Sequence, residues 1–162
     1  MDQNQVIASV VRQVLESIPE QAEVQQDKMT LALARALIAR VEKKAAEMGV
    51  NAVTAVANAG ARPVAVACMD DSFIASYDIA LNKAYTSVAL KMATKELKPL
   101  AQPGAPLYGV QQTNQGQIVI FGGGVPLYNR EGRLIGGLGV SGGTEEQDTA
   151  LADFGGANLQ KR

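Results

Sequence analysis

The chain has 162 residues, of which 47% are apolar, 19% charged and only 4% aromatic, and its formal net charge is −1. This is length enough for one domain with a core of Ala, Val, Leu and Ile, and there is no basic stripe to form a nucleic-acid footprint. The longest apolar run, Val119–Val125, is short and half glycine, so it cannot span a bilayer, and the N-terminus lacks the basic start of a signal peptide.

Residues 1–18 read as an amphipathic helix. Val6, Ile7, Val10, Val11, Val14, Leu15 and Ile18 make one apolar stripe at the 3.6-residue period. Pro19 stops it, and residues 19–28 read as a polar linker. Thr30 is placed to cap a helix over Leu31–Met48 whose apolar face is Leu33, Ala34, Leu37, Ile38, Val41, Ala45 and Met48, with Gly49 closing it. Two strands follow, Ala52–Asn58 and Pro63–Met69, joined by a hairpin at Ala59-Gly60-Ala61. Ser72 is a candidate cap for a long helix over Phe73–Lys95, its apolar face marked by Ile74, Tyr77, Leu81, Ala84, Val88 and Met92.

Lys95–Gly116 reads mostly as loop. Gln117–Phe121 is a predicted strand broken by Gly122-Gly123-Gly124, and Val125–Asn129 resumes it. Asn129-Arg130-Glu131-Gly132 is a turn into the last strand, Leu134–Val140. Gly136, Gly137 and Gly139 leave that strand without bulk, which predicts close approach of a neighbouring backbone. Thr144-Glu145-Glu146-Gln147 fits a capping box for a final helix to about Leu159. The predicted class is α+β: an antiparallel sheet of about five strands flanked by helices.

The chain contains no His. Ser-His-Asp and Cys-His nucleophile systems are therefore excluded, as are His-ligated zinc and haem. The single cysteine, Cys68, forms no intramolecular disulfide, which fits a reducing cytoplasm, and reads by default as a buried structural thiol.

Four segments carry a family resemblance. They are Met69-Asp70-Asp71-Ser72, the run Ile79–Ser87, the run Ile120–Leu127 and the run Gly136–Asp148, with Pro103–Gly109 a weaker fifth. In this order, residues 29–162 resemble the GlcG/HbpS family, which includes the C-terminal domain of the propanediol-utilisation protein PduO. The resemblance implies a small α+β domain that forms homo-oligomers, with haem bound by some members and diol or glycolate pathways as the setting. The histidine that such members offer to haem iron is missing here. Residues 1–18 with their linker resemble an encapsulation peptide, which implies a microcompartment shell protein as partner and a microcompartment lumen as location. The competing reading packs this helix on its own domain or a sister subunit.

The candidate ligand-binding residues are Phe121, Gly122, Gly123, Gly124, Ser141, Gly142, Gly143 and Lys83. The glycines expose backbone N–H groups beside a helix start, which suits a small acidic ligand or a haem propionate. Lys83 reads either as a solvated lysine or as a partner for a carboxylate across a subunit contact or on a ligand, and it is the weak candidate for a catalytic role. Glu145, Glu146 and Asp148 read as cap and dipole stabilisers. No metal site is expected among them, and Cys68, Met69 and Tyr108 are the alternative iron ligands if haem is bound. The expected function is an accessory binder of haem, a corrinoid or a related small cofactor. The alternatives are a small-molecule enzyme or a structural oligomer in cargo assembly. No nucleic-acid or membrane partner is expected.

Overall fold

The computed structural model describes residues 27–159. The predicted helix over residues 1–18 and most of the linker lie outside the described residues. Helix α1 (Leu31–Glu47) begins where the Thr30 hydroxyl accepts the Leu33 N–H at 3.1 Å. It buries Ala34, Leu37, Ile38, Val41 and Ala45, the stripe that its periodicity foretold. Strands β1 (Val53–Asn58) and β2 (Pro63–Cys68) form an antiparallel hairpin. Its turn is held by Asn58 Oδ1, which accepts the N–H groups of Gly60 and Arg62.

The predicted long helix over residues 73–95 is two shorter ones, α2 (Ser76–Ala89) and α3 (Thr94–Leu100). Lys91 takes a left-handed φ of 53° between them. Ser72 is not the cap of α2; Ala75 occupies that position without a side-chain bond. Strands β3 (Gly124–Tyr128) and β4 (Leu134–Ser141) follow, then α4 (Glu145–Gly156).

Among the described residues the sheet has four antiparallel strands in the order β2-β1-β4-β3. Residues 117–121 do not make the expected fifth. Thr86 of α2 takes the place of a strand partner there: its hydroxyl accepts the Val119 N–H at 2.9 Å and reaches the Gln117 carbonyl at 3.2 Å. On one side of the sheet α1 and α4 enclose the larger core, with Val41, Leu138, Val140 and Leu151 fully buried. On the other side Ala80 and Ala84 of α2 meet Val53, Ala55 and Ala57 of β1.

The contact between α2 and β4 is backbone against backbone. A Cβ at Gly139 would stand 2.0 Å from the Ala80 carbonyl oxygen, and one at Gly137 would stand 2.7 Å from that of Ala84. The glycine stripe on β4 is thus a seat for a helix, as its lack of bulk predicted.

The α4 start carries the predicted capping box. Thr144 accepts the Gln147 N–H at 3.2 Å, and Gln147 accepts the Thr144 N–H at 2.9 Å. Thr144→Ala is expected to lower stability by about 1 kcal/mol, read as a shifted midpoint in urea with an unchanged slope.

Candidate functional site

The four-residue bridge at 121–124 and the exit from β4 at 141–143 meet at one end of the sheet. They are joined by the Val140 N–H, which donates to the Gly123 carbonyl at 2.8 Å. An open cavity of about 340 Å³ lies there, lined by Phe121, Ser141, Gly142 and Gly143 together with residues of the α2 approach and the α4 start. Of the expected site residues, these four line the cavity. Gly122, Gly123 and Gly124 stand behind it, pressed against Thr149, Lys83 and Thr94 so closely that a Cβ at any of them would collide.

Sequence reasoning missed the other walls. Phe73 and Ile79 supply apolar surface, Ser76 supplies a hydroxyl, and Glu145 and Asp148 supply carboxylates. Ser141 Oγ donates to Ser76 Oγ at 3.1 Å, so the two hydroxyls of the wall bond to each other. Phe73 was legible as a helix-start residue but not as a wall, because it is 70% exposed and owes its position to the loop before α2.

Lys83 is not a solvated lysine. Its side chain is fully buried, and its ammonium donates to the Val140 carbonyl and to Asp148 Oδ2, both at 2.8 Å. The expected partner is a carboxylate across a subunit contact or on a ligand; the carboxylate that Lys83 meets is Asp148 of its own chain. Burial pulls the Lys83 pKa below the ordinary lysine value, and the hydrogen bond and charge of Asp148, with the charge of Glu145, hold it up in part. The Phe121 ring centre lies 5.1 Å from this ammonium. Asp148 is therefore a buried counter-ion with an exposed edge on the cavity, rather than a dipole stabiliser alone.

Two of the glycine amides at this end of the sheet are engaged inside the chain. Gly143 N–H donates to Asp148 Oδ1 and Gly122 N–H donates to Glu145 Oε1, each at 2.9 Å. The other oxygen of Glu145 pairs with Lys98 of α3 at 2.5 Å. The Lys98 hydrogen bond, then the Gly122 N–H, hold the Glu145 carboxyl below its ordinary pKa. A carboxyl whose pKa is depressed by folding stabilises the fold above its unfolded value and loses that contribution as pH falls through the folded one. Wild type should exceed Glu145→Gln in stability near neutrality, and the gap should close below about pH 4.3. Urea titrations across that range read the effect; a gap independent of pH would contradict the clamp.

Cys68 is exposed, not buried, because β2 is an edge strand. It pairs across Val53 with Ser141 in the sheet register, which puts it on the cavity's end of the sheet, roughly 10 Å away. Met69 is engaged through its sulfur, which accepts the Ala52 N–H at 3.4 Å. Among the described residues no group of His, Cys, Asp and Glu is arranged to hold a metal ion, and no helix is long and apolar enough to cross a membrane.

Residues 29–156 match the family described as HbpS-like, haem-degrading protein HbpS-like. The chain belongs to the HbpS-like family. It is 50% identical over 125 residues to an uncharacterised 15.0 kDa protein from the dhaT–dhaS intergenic region of Citrobacter freundii, covering 77% of this chain and 87% of that protein. It is 40% identical over 157 residues to the corrinoid adenosyltransferase PduO of Citrobacter freundii, covering 93% of this chain and 45% of PduO. The chain thus spans less than half the length of PduO. Among solved HbpS-like structures, ORFY of Klebsiella pneumoniae superposes with a TM-score of 0.78 at 45% identity, over 84% of this chain and 94% of that one. PduOC in its haem complex superposes with a TM-score of 0.77 at 38% identity, over 82% and 95% of the two chains.

Proposed function

We propose that this HbpS-like chain is an accessory haem-binding protein serving a bacterial microcompartment pathway such as diol utilisation. The observation that carries the reading is the likeness to PduOC in its haem complex, over nearly all of that chain. The relation to PduO and to the protein between dhaT and dhaS supports the pathway. The amphipathic sequence of residues 1–18 supports docking to a shell protein, because such a stripe needs a partner surface.

The cavity suits the edge of a flat macrocycle. Phe73, Ile79 and Phe121 give apolar contact, and Ile74, 97% exposed, extends the apolar surface outside it. The chain has no imidazole to offer iron, the wall oxygens of Glu145, Asp148, Ser76 and Ser141 are already bonded within it, and the exposed thiol of Cys68 stands at this end of the sheet. Lys83 acts here as a positioning residue: it fixes β4 and α4 beneath the cavity and does not reach the ligand.

Titration of the full chain with haemin is expected to give a saturable Soret shift. No shift with haemin or cobalamin would end the cofactor reading. Residues 1–28 fused to a fluorescent protein are expected to give puncta in cells that make shells, and diffuse fluorescence would end the docking reading.

A further inference from the structure

The cavity's wall is rich in acceptors, and two of the backbone donors beside it, Gly122 and Gly143, are already bonded to those acceptors. Gly143 and Gly122 give their N–H groups to Asp148 and Glu145, which occupy the places an incoming carboxylate or phosphate would take at the start of α4. The charged side chains that line the cavity are these two carboxylates. Their counter-ions lie behind it: Lys83 is fully buried, and Lys98 reaches Glu145 from α3. The remaining surface is apolar at Phe73, Ala75, Ile79 and Phe121, with the mutually bonded Ser76 and Ser141 and the backbone of Gly142 and Gly143.

We infer that the cavity takes an uncharged, apolar ligand part and turns acidic groups away. An anion placed there meets two carboxylates in a half-enclosed site, where the Gly122 and Gly143 amides already serve those carboxylates. This reverses the expectation that the glycine amides hold a small acid. Applied to haem, a step that rests on the proposed function, it means that the macrocycle enters by its apolar edge and leaves both propionates in water.

Two naphthyl dyes of matched size test this on the full chain without haem. Neutral N-phenyl-1-naphthylamine is expected to bind at least about tenfold more tightly than anionic 1-anilinonaphthalene-8-sulfonate, read by fluorescence titration. Equal or tighter binding of the sulfonate would overturn the inference. Phe73→Ser, a change at an exposed residue, is expected to weaken the neutral dye by about tenfold; unchanged binding would show that the dye sits elsewhere and overturn it too. Haemin and its dimethyl ester then separate the two readings. Similar Soret titrations for both support the pose, and loss of binding on esterification overturns it. Failure of both to bind or to displace the neutral dye overturns the haem reading and leaves the dye result standing.

Discussion

Asp148→Ala is expected to destabilise the domain by about 3–5 kcal/mol, because it leaves the Lys83 ammonium buried without its counter-charge. Against a typical total of about 5–15 kcal/mol, this brings the protein near the edge of folding. Lys83→Ala is expected to cost a similar amount, since it strands the Asp148 carboxylate and opens a cavity in place of the alkyl stem. The double variant Lys83→Met/Asp148→Asn removes both charges, keeps most of the stem volume and preserves an acceptor for the Gly143 N–H. Its loss should fall well below the sum of the single losses in a denaturation cycle; simple additivity would sink the account. The pH dependence has a definite sign. The fold binds fewer protons at Lys83 than the unfolded chain does in the window below the ordinary lysine pKa. Wild type should therefore gain stability relative to Lys83→Met as pH rises through that window.

Gly139→Ala is expected to cost about 3 kcal/mol or more, the upper end for an over-packed core. The new methyl would stand 2.0 Å from the Ala80 oxygen and 2.6 Å from the Ala84 nitrogen. Both are backbone atoms of α2, so no rotamer change relieves the clash and the helix must lift from the sheet. Gly60→Ala is the matched control. It lies in the hairpin turn, its nearest neighbour is a side-chain atom at 3.3 Å, and its φ is not positive. Its effect should stay within about 0.5 kcal/mol. Thermal or urea unfolding of the two variants side by side decides between them, and similar losses would contradict the seat described for α2.

The parts of the fold legible in the sequence are those set by local rules. The Thr144–Gln147 box, the Thr30 cap and the apolar period of α1 each depend on residues within a few positions of one another. The glycines of β4 were legible as a close approach, though not as to which helix makes it. The burial of Lys83 was not legible. Its partner lies 65 residues along the chain, and its own neighbours Asn82 and Thr86 suggest a polar helix face. Lys83 and Thr86 turn inward while Asn82 stays half-buried, and Ile74 and Tyr77, expected in the core, stand exposed. The apolar run at residues 117–121 failed as a strand for a related reason: Ile118 and Val119 are buried, but a helix side chain, Thr86, satisfies the backbone that a neighbouring strand would have paired. Of the site, its glycine frame was readable and its walls were not, since Phe73 and Ile79 come from another element and are joined to the frame only by the tertiary fold.

The backbone seat of α2 on β4 has a mechanical consequence. A helix held by side chains can slide or roll by changing rotamers, but one held by its own carbonyls against bare Cα atoms has no such freedom. Strand and helix must translate as a single stiff plate. Breathing at the cavity end of the plate therefore falls to residues 69–75, because residues 122 and 123 are themselves tied to α4 and β4 by the Gly122–Glu145 and Val140–Gly123 bonds.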